Sequence, residues 1–138
     1  DRTKLEYKAN IPTSSGLGTS SAMNVVWLGL ISKNNDKKWI ADTVYRLEQD
    51  TGLIGGKQDQ YAAAFGGINF LEFDKDNVKR TAVIVDKKII KKLEQSLLLV
   101  YTGKPRYSSR INGLVIRNVR NNHKSTINAL KKIKEIAT

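Results

Sequence analysis

Cysteine is absent from the 138 residues, and histidine occurs once, as His123. Disulfide bonds and thiolate metal sites are therefore excluded, and one imidazole cannot build a histidine metal site. No run of about 18 uninterrupted apolar residues occurs, so the sequence predicts no membrane span. The first residues, Asp1 to Lys4, open into a charged stretch without an apolar signal core, and the cytoplasm is the expected compartment.

Acidic residues are scarce relative to basic ones. The chain has 24 Lys and Arg against 13 Asp and Glu, which gives a formal net charge of +11. Such a charge could mark a nucleic-acid partner, because clustered basic residues bind phosphates and release counterions. Most lysines, however, stand in short runs typical of solvated helix faces, and none of these runs is interleaved with stacking aromatic residues. A nucleic-acid-binding module is therefore kept as the less favoured alternative to an enzyme.

The apolar content of 40% is that of a globular protein, and its pattern predicts both strands and helices. Residues 4–11 alternate between apolar and polar side chains, a period of two that predicts a half-buried strand ending at Pro12. The almost continuously apolar segment 22–31 predicts a buried helix. Asp36 is placed to cap an amphipathic helix, which Gly52 can end.

The second half of the sequence predicts a hairpin, a short helix, a buried central strand and a broken helix, at residues 68–85, 86–95, 97–102 and 108–138. The hairpin prediction depends on two strand-like segments separated by the turn composition of Asp74 to Asn77. The central strand is predicted from its continuous apolar run, and the break in the last helix from Asn121-Asn122. This order of elements indicates an α+β fold.

Residues 12–22 lie between the predicted first strand and the predicted first helix, and most of them are Gly, Ser or Thr. Gly16 and Gly18 let the backbone turn tightly and approach a ligand, while the free N–H groups and positive dipole at a helix start favour an anion. An ordinary capped turn is the alternative for such a loop taken alone. No Lys follows Gly18, so the Walker pattern is absent. The residues predicted to bind phosphate are Pro12, Ser14, Ser15, Gly16, Leu17, Gly18, Thr19, Ser20 and Ser21.

This loop resembles the second signature of the GHMP kinases, written P-x-x-x-G-L-G-S-S-A-A. Seven positions agree in register if Thr19 is counted for the first Ser: Pro12, Gly16, Leu17, Gly18, Thr19, Ser20 and Ala22. Residues 58–70 and 101–109 are similar to the heptose-phosphate kinases within that family. The resemblance extends over about residues 5–109.

The resemblance implies an ATP- and Mg²⁺-dependent kinase that phosphorylates a sugar or sugar phosphate, with heptose 7-phosphate as the preferred acceptor. Phosphoryl transfer needs a metal between the β- and γ-phosphates and a group that positions or deprotonates the attacking hydroxyl. By resemblance, Ser20 and Glu48 ligate Mg²⁺ and Asp59 is the base. Without the resemblance, Glu48 would be a solvated helix carboxylate and Asp59 a loop or capping residue.

Four further residues are candidates for binding the sugar. Gln58, Gln60 and Tyr61 have amides and a flat ring that suit hydroxyl-rich ligands, yet they could equally satisfy buried backbone groups. By analogy with the family, Arg106 stands where it could bind a substrate phosphate or the nucleotide. An exposed arginine without a role is the alternative for Arg106.

The fold implied by the resemblance has two parts. Residues 1–95 would form most of an N-terminal domain like domain 2 of ribosomal protein S5, and residues 96–138 the start of a ferredoxin-like C-terminal domain. The family's first and third signatures have no counterpart in the sequence, so the chain is expected to be a fragment. Alone, it is expected to lack sugar kinase activity and to self-associate through uncovered apolar surface.

Overall fold

A computed structural model describes residue 4 and residues 6–12, 14–104 and 108–137. These residues form helices α1 Thr19–Ile31, α2 Lys37–Asp50, α3 Gln58–Phe65, α4 Lys87–Ser96, α5 Ser108–Arg120 and α6 Lys124–Ala137, and strands β1 Asn69–Asp74 and β2 Asn77–Ala82. The predicted mixture of helices and strands is therefore confirmed. No helix in the described ranges combines the length and the apolar character that a membrane crossing needs.

The core lies where the first three helices meet. Val25 from α1 packs with Ile40 and Val44 from α2, and Leu28 and Ala64 border this cluster. Ile40 and Val44 are four residues apart and share one face of α2. Glu48, four residues after Val44, lies on the same buried face. The three helices thus surround a core that contains one carboxylate.

The predicted start of α2 is confirmed. The Asp36 carboxylate accepts hydrogen bonds from the backbone N–H groups of Lys38 and Trp39, at 2.8 and 3.3 Å. These bonds satisfy two of the donors that the first turn of a helix leaves without an intrahelical partner. Asp36 therefore fixes where α2 begins and, with it, which α2 residues face the core.

The prediction that the first helix is buried was only partly right. Within α1, Ser21 and Val25 are buried, whereas Val26, Leu30 and Ile31 are exposed. Helices α2 and α3 pack against α1 from one side, and Tyr7 contacts Trp27 with the ring centroids 6.1 Å apart, while the last three side chains named above stay exposed. Apolar composition favours burial, but it supplies no element to pack against.

The predicted hairpin is confirmed, with the second strand ending three residues earlier than expected. Strands β1 and β2 pair antiparallel, and Asp74 faces Asn77 across a two-residue turn. Lys75 in that turn has a positive φ of 52°. The turn also contacts the segment before α3, because Lys57 Nζ donates a hydrogen bond to the carbonyl oxygen of Asp76 at 2.9 Å.

The predicted strands at residues 4–11 and 97–102 are both wrong for the part of the chain that the structure describes. Leu97 to Tyr101 are exposed rather than buried, and Leu98 retains 86% of its accessible surface. A strand needs a neighbouring strand for its backbone N–H and C=O groups, and the described pairing joins β1 to β2 alone. Residues 4–11 and 97–102 therefore have no strand to pair with among the described residues, although their apolar patterns are typical of strands.

The helices of the second half agree with the predictions. Helix α4 corresponds to the helix expected over 86–95, and Asp86 caps it by accepting from the N–H of Lys88 at 2.7 Å. Helices α5 and α6 are separated at the expected break, where Asn122 has a φ of 54°. The left-handed backbone at Asn122 ends α5, since a continuing helix requires negative φ.

Candidate functional site

The N-terminus of α1 receives no capping hydrogen bond from a side chain of the described residues. Its N-cap residue is Gly18, with φ 66°, and the first turn contains no acidic residue. The Gly18 carbonyl accepts the first intrahelical bond, from the N–H of Ala22 at 2.9 Å. The backbone N–H groups at the start of α1 are thus left for an external acceptor, and the helix dipole favours an anion there.

The glycine-rich loop also carries hydroxyl groups without partners. Ser15 Oγ and Thr19 Oγ1 are buried and make no hydrogen bond to the described part of the chain. Buried polar atoms are usually paired, so two unpaired hydroxyls in one loop indicate a missing acceptor. A Cβ added at Gly16 would meet nothing within 4 Å, so there is open space beside the loop at this position. The loop therefore fits a phosphate group.

Asp59 lies directly against this loop. It stands in the first turn of α3, and a Cβ added at Gly18 would be 3.3 Å from Asp59 Cγ. Asp59 is exposed and has no hydrogen bond or ion pair with the described residues. The structure thus brings together the phosphate loop and the predicted base, which are 41 positions apart in the sequence.

Glu48 joins the three core helices. Its residue is only 8% exposed, and its carboxylate accepts from Ser21 Oγ at 3.3 Å, from Asn24 Nδ2 at 3.0 Å and from Gln60 Nε2. All three donors are neutral, and no Lys or Arg within the described ranges forms an ion pair with Glu48. A buried charge without an opposite charge is unfavourable, so the surroundings of Glu48 fit a cation.

A divalent ion at Glu48 would need further oxygen ligands. The described residues contain no group of three acidic or histidine side chains that could hold a metal. Mg²⁺ is commonly bound by one or two carboxylates together with waters and substrate phosphates, so one carboxylate beside a phosphate loop meets that requirement. Glu48 is the buried carboxylate among the described residues that contacts the start of α1, through Ser21.

Ser21, the residue after the predicted metal ligand Ser20, contacts Glu48. Successive helical residues point about 100° apart, so Ser20 lies on the face of α1 next to that of Ser21, and it is exposed. Ser21 and Asn24, three residues apart, share the face of α1 that meets Glu48. Neither contact was predicted from the sequence, although the spacing of three residues is a signal for both.

Two of the predicted sugar-binding residues lie in the core. Gln60 is 3% exposed and donates to Glu48, and Tyr61 is 1% exposed, with its hydroxyl donating to Asp42 Oδ1 at 2.9 Å. Gln58 is at the surface. Arg106 lies outside the residues that the structure describes. Gln60 and Tyr61 therefore bond to side-chain carboxylates rather than to the backbone groups of the alternative, and their role in binding a sugar stays a prediction.

The Tyr61 hydroxyl belongs to a small charged network. Asp42 also accepts from Lys38 Nζ at 2.7 Å, and Lys57 Nζ is 3.8 Å away. Burial opposes ionisation of Asp42, but the bonds from Lys38 and Tyr61 and both lysine charges outweigh it and lower its pKa below 3.8. Burial and then the bond to Asp42 raise the pKa of Tyr61 above 10.0. The network fastens α3 to α2 and so helps to fix Asp59.

Comparison with known proteins identifies the family. Residues 1–67 match the GHMP kinases N terminal domain. The chain is 34% identical over 146 residues to the bifunctional fucokinase/GDP-fucose pyrophosphorylase of Arabidopsis thaliana, which covers 99% of the chain and 14% of that protein. It is 38% identical over 110 residues to the D-glycero-alpha-D-manno-heptose 7-phosphate kinase of Campylobacter jejuni, covering 72% of the chain and 31% of that protein. No solved structure gives a significant match.

Another relative is glucuronokinase 1 of Arabidopsis thaliana, 25% identical over 139 residues, which covers 96% of the chain and 38% of that protein. The chain thus spans 14 to 38% of the length of these relatives, and all three are named as kinases of sugars or sugar derivatives. The glycine-rich loop, Glu48 and Asp59 all fall in the matched segment. Residues 1–67 of this chain therefore belong to the GHMP kinase family as its N-terminal domain.

Proposed function

We propose that the protein is an ATP- and Mg²⁺-dependent kinase that transfers the γ-phosphoryl group to a hydroxyl of a sugar or sugar phosphate. The contact between Gly18 and Asp59 carries the proposal, because it places a loop suited to phosphate beside a carboxylate without a protein partner. Phosphoryl transfer depends mostly on positioning and charge stabilisation. The phosphate loop and the Asp59 carboxylate, which would position the phosphates and the attacking hydroxyl, are adjacent here. The three sugar kinases among the relatives support the same reaction class.

The residues that would hold ATP are those of the loop. Backbone N–H groups from Thr19 to Ser21 and the unpaired hydroxyls of Ser15 and Thr19 would donate to the phosphate oxygens. Bound Mg²⁺ would neutralise charge between the β- and γ-phosphates, and Glu48 and Ser20 are its proposed ligands. Ser21 would orient the Glu48 carboxylate through the hydrogen bond already present.

Asp59 is the proposed general base. The acceptor hydroxyl oxygen bonds to the γ-phosphorus, the bond from that phosphorus to the bridging oxygen of ADP breaks, and the hydroxyl proton goes to the Asp59 carboxylate. Both carboxylate oxygens are free to accept it, because no described side chain occupies them.

Heptose 7-phosphate is the proposed acceptor, supported by the identity of 38% to a heptose 7-phosphate kinase over 110 residues. Gln58, exposed next to Asp59, is the proposed sugar contact among the described residues. We assign residues 1–95 to an N-terminal domain like domain 2 of ribosomal protein S5. Residues 96–138 would begin a ferredoxin-like C-terminal domain.

A coupled assay of the full-length protein tests the acceptor. Heptose 7-phosphate, fucose and glucuronate are offered separately with ATP and Mg²⁺, and heptose 7-phosphate is expected to give the highest kcat/KM. Asp59→Asn is the control for background hydrolysis. Turnover with none of the three sugars, by a protein that binds Mg-ATP, would contradict the proposed reaction.

A further inference from the structure

A cleft lies beside the C-terminal end of α2, outside the site described above. It has a volume of about 960 Å³ and is bounded by α5 on one side and by Gln49 and Ile54 on the other. Asn112 Nδ2 donates to the Ile54 carbonyl at 3.1 Å, which holds α5 against the segment that follows α2. The cleft shares no lining residue with the phosphate loop, Glu48 or Asp59.

Three arginines of α5 line this cleft: Arg110, Arg117 and Arg120. Spacings of seven and three residues place them on one face of the helix. At a rise of about 1.5 Å per residue, Arg117 and Arg120 are about 4.5 Å apart along the axis, and Arg110 is about 10 Å from Arg117. None of the three pairs with an acidic side chain of the described residues.

The remaining surface of the cleft is partly apolar. Ile54, Leu114 and Ile116 contribute apolar side chains, and Gly113 lies between the arginine positions without a side chain of its own. A Cβ added at Gly113 would be 4.0 Å from Ile54 Cδ1, so the position has space for a side chain. Apolar surface with a few convergent polar groups is typical of small-molecule sites.

We infer that this cleft binds a small phosphorylated organic molecule. Arg117 and Arg120, one turn apart, would bind one phosphate group with their forked N–H donors, which match phosphate geometry. Arg110 would meet a second anionic group about 10 Å further along the helix. Ile54 and Leu114 would contact the carbon skeleton between them.

A nucleic-acid strand fits the cleft less well. Single-strand binders combine a basic groove with aromatic rings on which bases stack, and no residue lining this cleft is aromatic. Three arginines over about 15 Å of helix also provide fewer contacts than the six to ten phosphates of a typical nucleic-acid complex. The ligand class that the cleft favours is therefore a small polyanion.

Inorganic pyrophosphate is the probe for a direct test. Binding is measured by calorimetric titration of the chain carrying Gly18→Val, so that the phosphate loop contributes little. In this background, Arg117→Gln with Arg120→Gln is expected to weaken binding about tenfold or more, the scale of a lost charge-assisted hydrogen bond. Arg46→Gln removes the same charge from the exposed surface of α2, outside the cleft, and is expected to change binding less than twofold.

A second variant covers a failure of the double arginine variant to fold. Gly113→Glu places a carboxylate between the arginines while keeping all three, and it is expected to abolish pyrophosphate binding. Absence of saturable binding in the Gly18→Val chain would overturn the inference, as would equal weakening by Arg46→Gln. Tighter binding of a single-stranded oligonucleotide than of pyrophosphate, with a steep salt dependence, would also overturn it, in favour of a nucleic-acid surface. The test needs neither ATP nor turnover, so its failure would leave the proposed kinase reaction untouched.

Discussion

The backbone of Gly18 lies against the carboxylate of Asp59, so that a Cβ at position 18 would come within 3.3 Å of Asp59 Cγ. Gly18 is also the N-cap of α1, with φ 66°. One residue therefore sets both the geometry of the phosphate loop and its distance from the proposed base. Glycine adopts this backbone conformation without strain, and any larger residue would require Asp59 to shift by a few tenths of an ångström.

Substitution of Gly18 by valine is expected to weaken Mg-ATP binding by about tenfold or more, because a β-branched residue at positive φ costs about 1–3 kcal/mol and the side chain also displaces Asp59. Calorimetric titration of the chain measures the affinity. Gly103→Val is the matched control, since Gly103 has φ 75° and open space around it outside the loop. Equal affinity of the Gly18 variant and the unsubstituted chain would remove the loop from the ATP site.

Asp59→Asn is expected to lower kcat by about 10²–10⁴, the usual contribution of general-base assistance, while ATP affinity changes little. The amide keeps the size of the side chain but cannot take the hydroxyl proton. Steady-state kinetics of the full-length protein give kcat, and ATP titration gives the affinity. Asp76→Asn, in the hairpin turn, is a control for loss of an exposed charge. A fully active Asp59→Asn enzyme would show that another group is the base.

Glu48→Gln and Ser20→Ala are both expected to raise the Mg²⁺ concentration needed for half-maximal ATP binding, because each removes a proposed oxygen ligand. Glu48→Gln should also lower the free energy of unfolding by about 1–3 kcal/mol, since its new NH₂ group would face the donors of Asn24 and Gln60. Ser20 is exposed, so Ser20→Ala separates the metal effect from the structural one. Glu94→Gln on α4 is the control. An unchanged Mg²⁺ requirement in both variants would contradict the metal assignment.

Tyr61→Phe is expected to lower the free energy of unfolding at pH 7 by about 1–3 kcal/mol, because Asp42 loses a hydrogen bond from a buried hydroxyl. Urea unfolding measures the change. Tyr101→Phe is the control, since the Tyr101 hydroxyl has no partner among the described residues. Equal stability of the Tyr61 variant and the unsubstituted chain would show that this bond contributes nothing.

The same network predicts how stability depends on pH. The pKa of Asp42 lies below 3.8 in the folded chain, so its contribution is present at neutral pH and is lost as the pH falls through that lowered pKa. The pKa values of Tyr61 and Lys38 are raised, so their contributions are present below about pH 10 and are lost as the pH rises further. Asp42→Asn should therefore make the free energy of unfolding, measured with urea at a series of pH values, less dependent on pH at both the acidic and the basic end. An identical profile would show that other groups control the pH dependence.

Self-association of the 138-residue chain is expected from its exposed apolar surface. Leu97 to Val100 are consecutive and largely exposed, and a run of this kind invites pairing with other chains. Leu98→Asp should shift the weight-average mass in light scattering toward the monomer, whereas Ser96→Asp, with the same added charge, should shift it less. A monodisperse monomer of the unsubstituted chain would contradict the prediction.

Local chemistry explains which elements were predictable. The Asp36 cap, the turn at Asp74 to Asn77 and the break at Asn121-Asn122 depend on short-range hydrogen bonds and backbone preferences, and all three were confirmed. The strands expected at residues 4–11 and 97–102 depend on partners elsewhere, and no local pattern supplies a partner. The apolar residues of α1 predicted a buried helix, and that prediction was only partly right for the same reason: the sequence of α1 does not supply elements to cover it.

The sequence by itself determined the glycine-rich loop and its place before a helix, because residue types and spacing define that signature. The resemblance of this signature to that of the GHMP kinases pointed to Glu48 and Asp59 as the carboxylates of interest. Only the tertiary structure decided which groups meet. It set Gly18 against Asp59, turned Ser21 instead of Ser20 toward Glu48, and buried Gln60 and Tyr61. The physical reason is the packing of three helices: the rotation of α1 and α3 about their own axes decides which side chains face the core, and that rotation is fixed by contacts between residues far apart in the chain.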